Sequence, residues 1–149
     1  MKEIEIYTDG ACSFNPGPGG WGAILIYNGV EKKISGGEQN TTNNRMELLA
    51  VINALLCLKE KCSVKIYSDS AYVVNAYLQK WVDNWKANGW KKQNKQVKNV
   101  ELWQQLDNLV QSHQVEFIKV KGHSDNAYNN ECDKMARAEV DKILGGQNE

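Results

Sequence analysis

Apolar and polar positions alternate at the start of the chain, Ile4 and Ile6 against Glu5 and Tyr7, which is the period of a β-strand. Two further strand-like runs follow, WGAILIYNG and EKKISGGE, and the Asn28-Gly29 step between them predicts a two-residue hairpin turn. From Asn43 the period lengthens. Met46, Leu48, Leu49, Ile52, Leu55 and Leu56 recur at helical spacing, predicting a helix packed on a sheet. Val64, Ile66 and Ser68, with Lys65, Tyr67 and Asp69 pointing the other way, predict a fourth strand, and SAYVVNAYLQ a helix after it. The stretch KWVDNWKANGWKKQNKQVKN reads as an exposed, partly helical excursion; VELWQQLDNLVQS as a helix; VEFIKV as a fifth strand. GHSDNAYNN is expected to be a loop, ECDKMARAEVDKIL the final helix, and the tail of about 145–149 loose. Three hairpin-linked strands followed by alternating helices and strands predict an α/β chain with a mixed five-stranded sheet flanked by helices.

Length and composition narrow the class without naming a function. With 149 residues and 42% apolar content the chain is expected to form one domain, 1–149, with a real core. Eighteen basic side chains balance eighteen acidic ones, so any affinity for nucleic acid must be local. Cys12, Cys57, Cys62 and Cys132 show neither a C-x-x-C pair nor a zinc-ligand spacing, which suits a reducing compartment. The longest apolar run, LLAVINALLCL, is broken by Asn53 and patterned as a helix, and no apolar leader precedes Ile4. The expectation is a cytoplasmic protein with no membrane contact, and a monomer by default.

The acids change the picture. Asp9 alone reads as a turn residue after a strand, and Asp69 alone as a helix N-cap. As a pair they repeat one context, YTD and YSD, each where a strand ends and on the face away from its aliphatic residues. In open α/β sheets that edge is where ligand sites assemble. Glu47 stands at capping-box spacing from Asn44 and can simply serve the helix start. Asp133, expected in the first turn of the last helix, lies beside an apolar stripe containing Cys132, Ala136 and Val140. Were these four carboxylates to converge, mutual repulsion would require protons or cations between them. An all-oxygen cage suits Mg²⁺ or Mn²⁺ rather than Zn²⁺, and two such ions about 4 Å apart suit in-line phosphoryl displacement. That points to a nuclease or a related phosphoryl-transfer enzyme.

The basic excursion adds a second signal. From Asn84 to Val100 there is no acid, while Lys86, Lys91, Lys92, Lys95 and Lys98 are interleaved with Trp85 and Trp90. A solvated face explains lysines but not the tryptophans, and in a chain of zero net charge the cluster is a concentrated local field suited to phosphates. Trp21 and Trp103 are expected in the core.

The segments YTDGAC with NPGPGGWG, then TTNNRMEL, YSDSAYV and VKGHSDNAYNNECDKMAR, occur in the order and spacing of type 1 ribonuclease H motifs. The chain resembles that family, in its bacterial form, over nearly its whole length. The resemblance implies the ribonuclease H-like fold and hydrolysis of the RNA strand of RNA/DNA hybrids, without strong sequence preference, leaving 5′-phosphate and 3′-hydroxyl ends. It implies that Asp9, Glu47, Asp69 and Asp133 ligate two Mg²⁺ ions, one activating water and one stabilising the departing oxygen. His123 matches a mobile histidine that assists proton transfer or product departure; His113 keeps an ordinary surface reading. The excursion, about 81–99, matches a basic protrusion that holds the DNA strand, with Trp81 near the deoxyriboses and Trp90, Lys86, Lys91, Lys92 and Lys95 around it.

Distinguishing RNA from DNA requires reading the 2′-hydroxyl, for which short amides are well suited. Asn43 and Asn44 match positions used for that contact, Asn15 turns close to Asp9, and Thr42 and Asn99 match phosphate-contacting positions on the DNA side. The chain departs from the family pattern at Asn40, where an arginine is usual, at Ala71 in place of a glutamine, and at Asn130 in place of a glutamate. These bear on affinity, not on the class of chemistry. Three rivals remain open: a two-metal nuclease or transferase acting on DNA, a hybrid-binding module without chemistry, and a metal site that only stabilises the fold.

Overall fold

The computed structural model describes residues 1–122 and 126–147. Strands β1 (Lys2–Cys12), β2 (Gly17–Tyr27) and β3 (Val30–Thr41) form an antiparallel meander. Asn28 and Gly29 both take positive φ, 49° and 77°, between paired Tyr27 and Val30, as the short turn between twisted strands requires. Helix α1 (Asn43–Leu56) leads to β4 (Cys62–Ser68), which pairs parallel to β1. Then come α2 (Ala71–Leu78), α3 (Trp81–Ala87), the two-residue strands β5 (Lys91–Lys92) and β6 (Lys95–Gln96), α4 (Val100–Gln111), β7 (Gln114–Lys119) and α5 (Ala127–Gln147). The main sheet has five strands in the order β3-β2-β1-β4-β7, mixed in direction as expected, and β5 and β6 pair separately as a small hairpin within the basic excursion.

The sheet separates two apolar layers. On one side Ile4, Ile6, Val64 and Ile66 meet Leu48, Val51, Ile52 and Leu55 of α1, Val73 and Val74 of α2, and Trp103 and Leu106 of α4. On the other, Tyr7 and Ile24 meet Cys132 of α5. Helix α5 lies directly on the backbone of β2: a methyl group added at Gly22 would sit 2.9 Å from the Cys132 carbonyl oxygen, so only glycine allows this approach.

Three expectations are corrected. Helix α5 begins at Ala127 instead of Glu131, which moves Asp133 from its first turn to its second. It also runs through Gly145 and Gly146 to Gln147, so the start of the expected loose tail is helical; Ile143, half buried within contact reach of Gly37 on β3, ties the last turns to the sheet. Trp21 is only half buried, its indole lying across Gly36 of the neighbouring strand instead of entering the core.

Candidate active site

Asp9 does not end its strand. Pairing of β1 with β2 continues through Cys12, but the parallel pairing with β4 stops at Tyr7 opposite Tyr67. Asp9 therefore stands where the parallel ladder opens, and Asp69 directly follows the last residue of β4 on the same edge. Helix α2 is capped by Ser70, whose hydroxyl accepts the Val73 N–H at 3.3 Å, so Asp69 is not spent as a cap. Glu47 is not a capping partner either. Thr42 caps α1, accepting the Arg45 N–H at 3.2 Å, which places Glu47 one turn inside the helix. What brings Glu47 to the sheet edge is Gly10: a methyl group there would lie 2.7 Å from the Glu47 backbone nitrogen.

One oxygen from each of Asp9, Glu47 and Asp69 lies within 4.8 Å of the others. Asp9 and Glu47 are each 5% exposed, and Glu47 Oε2 is buried with no hydrogen-bond partner among the described residues. The Gly10 N–H donates to Asp9 Oδ1 at 3.0 Å. Burial, and then the neighbouring Asp69 charge, push the Asp9 carboxyl up to about 8. Glu47 is driven well above the usual carboxylate range by burial first and by Asp9 and Asp69 next. Such a site holds protons at neutral pH until cations replace them. The unpartnered buried oxygen, together with a donor set of carboxylates alone, fits a hard divalent ion.

Asp133 lines the same cavity of about 440 Å³ but lies outside that tight group; its Oδ2 accepts the Arg137 guanidinium at 2.9 Å. Asn43 and Asn44 form part of the exposed rim, and the Asn43 N–H donates to Asn15 Oδ1 at 2.9 Å, tying the β1–β2 loop to the start of α1. His123 lies outside the described residues.

The basic excursion carries a second cavity of about 820 Å³, lined among others by Tyr72, Trp81, Trp85, Lys91 and Lys92. Trp81, Trp85 and Trp90 are half buried and pack on the main core, Trp85 edge-on to Trp103 with centroids 5.2 Å apart. Lys91, Lys92 and Lys95 are exposed. The Lys86 ammonium, on a side chain still 41% exposed, lies 2.9 Å from the buried Asp107 carboxylate, which, enclosed between α2 and α4, needs a counter-charge. Asn99 takes a left-handed conformation before α4 and donates its amide to the Tyr72 hydroxyl at 3.3 Å.

Residues 1–141 match the family model described as RNase H. The chain belongs to the RNase H family. Members of this family are endonucleolytic phosphodiester hydrolases that depend on divalent metal, and the converging carboxylates are consistent with that dependence. A ribonuclease H of Acetivibrio thermocellus is 66% identical over 143 residues, 95% of this chain and 97% of that protein. One from Caldicellulosiruptor saccharolyticus is 56% identical over 144 residues, 96% of this chain and 99% of the relative. Among solved structures, LC9-RNase H1, a type 1 RNase H with the type 2 active-site motif, superposes with a TM-score of 0.86 at 31% identity, over 96% of this chain and 74% of the other. LC11-RNase H1, solved in complex with RNA/DNA hybrid, shares the fold at a TM-score of 0.74 and 23% identity, over 95% of this chain and 99% of the other.

Two residues lining these cavities are not singled out by the sequence. Asn129 is buried, its Oδ1 without a partner among the described residues, and lines the carboxylate cavity; its segment reads as loop in the sequence. Tyr72 lines both cavities. Its signal was available, since it falls within the YSDSAYV segment three residues after Asp69.

Proposed function

We propose that the protein hydrolyses the RNA strand of RNA/DNA hybrids with two Mg²⁺ ions, leaving 5′-phosphate and 3′-hydroxyl ends and reading no particular sequence. The observation that carries this reading is the convergence of Asp9, Glu47 and Asp69 around a buried, unpartnered carboxylate oxygen. Divalent ions bound there supply Lewis acidity toward the scissile phosphate and charge for the attacking and leaving oxygens. Asp9, Glu47 and Asp69 hold them, and Asp133 joins when it leaves Arg137.

The remaining side chains divide the work of recognition. The amides of Asn43 and Asn44 meet the 2′-hydroxyls of the RNA strand, a role supported by their position on the rim of the carboxylate cavity and by Asn15 tying their loop. Lys91, Lys92 and Lys95, which are exposed, meet phosphates of the DNA strand, Trp81 and Trp90 lie near its sugars, and Thr42 and Asn99 contact its phosphates. His123 carries protons or eases product departure. All of these groups belong to one chain, so a monomer suffices. The four free thiols accord with the cytoplasm.

The test is cleavage of end-labelled RNA in a hybrid, in duplex RNA and as a single strand, with labelled duplex DNA alongside, in Mg²⁺ or EDTA, for wild type and Asp9→Asn. Cutting confined to the hybrid and abolished by EDTA and by the substitution is the expected result. Binding of the hybrid without cutting would replace the proposal with a hybrid-binding module. Cutting of duplex DNA would retain the chemistry and overturn the substrate.

A further inference from the structure

Tyr7 and Tyr67 stand two residues before Asp9 and Asp69, in the repeated segments YTD and YSD. They face each other on β1 and β4 as the last pair of the parallel ladder, and the two acids lie beyond it. Their rings stack with centroids 4.6 Å apart and planes 10° from parallel, close to the ~4.8 Å between neighbouring strands. Side chains alternate along a strand, so Asp9 leaves β1 on the face that carries the Tyr7 ring.

A third ring joins them from α5. Tyr128 packs on Tyr7 with centroids 5.0 Å apart, and its hydroxyl donates to Glu31 of β3 at 2.6 Å. The start of α5 is tied to Tyr7 twice more. Asn126 Oδ1 accepts the Asn129 N–H at 3.0 Å, as a helix cap does, and the Asn126 side chain also bonds the Tyr7 hydroxyl. Cys132 Sγ donates to the Tyr7 carbonyl oxygen at 3.3 Å. From the same helix Asn129 and Asp133, one turn apart, line the carboxylate cavity. Three elements that deliver acids to one cavity thus meet in one aromatic stack: β1 with Asp9, β4 with Asp69 and α5 with Asp133.

We propose that Tyr7, Tyr67 and Tyr128 are positioning residues that set the spacing of Asp9, Asp69 and Asp133 for divalent metal. The proposal rests on the metal-site reading above and adds the groups that hold its ligands apart at a fixed distance. None of the three rings is among the residues lining the cavity, so they act through the backbone that carries the acids. Mutual repulsion of the carboxylates favours spreading of β1 and β4. The stack opposes that spreading where the ladder has ended, and its ring thickness also keeps the strands from closing.

Tyr67 and Tyr128 are half buried, so they, and not the enclosed Tyr7, are the residues to replace. Mn²⁺ binding to the free protein is measured by calorimetry, together with Tm and with kcat and KM for hybrid cleavage in Mg²⁺. Groups that orient metal ligands from behind are worth about 10- to 100-fold in metal affinity or activity. Tyr67→Ala and Tyr128→Ala are therefore each expected to weaken Mn²⁺ binding about tenfold and to lower kcat by a similar factor, with KM within about twofold. Tyr67→Phe and Tyr128→Phe keep the rings and should hold Mn²⁺ affinity within about twofold of the wild type. Val64→Ala opens a cavity on the opposite face of β4 and should lower Tm while leaving Mn²⁺ affinity unchanged. Alanine variants that bind Mn²⁺ as the wild type does, phenylalanine variants as weak as the alanine ones, or an equal loss in Val64→Ala would each overturn the proposal. A wild type that binds Mn²⁺ but leaves the hybrid uncut brings down the hybrid reading alone, and the calorimetric comparison still decides for or against the stack.

Discussion

Replacing Asp9 with asparagine should make the metal-free protein more stable, and the size of the gain should depend on pH. The folded state holds the Asp9 carboxyl up to about 8, against an ordinary value of 3.8, through burial and the Asp69 charge. A carboxyl raised in this way favours the fold only while protonated. Its contribution is fully present below pH 3.8 and is lost progressively as the pH rises to about 8. At pH 7 roughly three pH units of that window have been crossed, and at ~1.4 kcal/mol per unit the penalty has a ceiling of about 4 kcal/mol. Sharing of protons with Glu47 and relaxation of the cluster reduce it, so a gain between ~1 and ~4 kcal/mol is expected for Asp9→Asn. For a chain of this length that is an increase in Tm of about 3 to 12 °C. The assay is thermal unfolding followed by circular dichroism in EDTA at pH 5, 6, 7 and 8, with Mg²⁺ added in a parallel series. The gain should shrink toward pH 5, and Mg²⁺ should raise Tm of the wild type more than that of the variant. A variant that melts below the wild type in EDTA at pH 7, or a gain independent of pH, would refute the electrostatic account and favour a site whose role is structural.

The same protons should compete with the cation for Asp9 and Glu47: the Mg²⁺ concentration giving half-maximal cleavage should fall as pH rises from 6 to 8, by up to ~10-fold per pH unit for each proton displaced. Titration of activity against Mg²⁺ at several pH values checks this, and a flat response would contradict it. Replacing Lys91, Lys92 and Lys95 together with glutamine should reduce the slope of log Kd against log salt by ~2 to 3, one part per lost phosphate contact. Gly10→Ala forces α1 off β1 at Glu47; a loss of ~1–3 kcal/mol in denaturant unfolding is expected, with a larger fractional loss of activity than of folded protein. Lys86→Met strands the buried Asp107 carboxylate and should cost ~1–3 kcal/mol, part of which Asp107→Leu in the same chain should restore.

Much of this protein is written in local pattern. The alternation of β1, the turn at Asn28 and Gly29, the helical period from Met46 to Leu55 and the lysine-tryptophan excursion depend on neighbours a few residues away, and each was legible for that reason. The motif segments also carried the family, because their order along the chain is itself sequence information. What the local pattern misjudged lay where packing outweighs it. α5 begins before its predicted start, where Tyr128 packs against Tyr7 of β1, and Lys86 pairs with Asp107, twenty-one residues later and buried beside it. The roles of the acids were ambiguous for the same reason. Whether Asp69 and Glu47 serve as helix caps is decided by Ser70 and Thr42 taking those places, and the raised carboxyls exist only because Gly10 admits α1 to the edge where the β1–β4 ladder opens. Sequence alone determined which groups are present and which elements carry them; only the tertiary structure decided which of them share a low-dielectric space, because burial and charge repulsion depend on separation in space and not on separation along the chain.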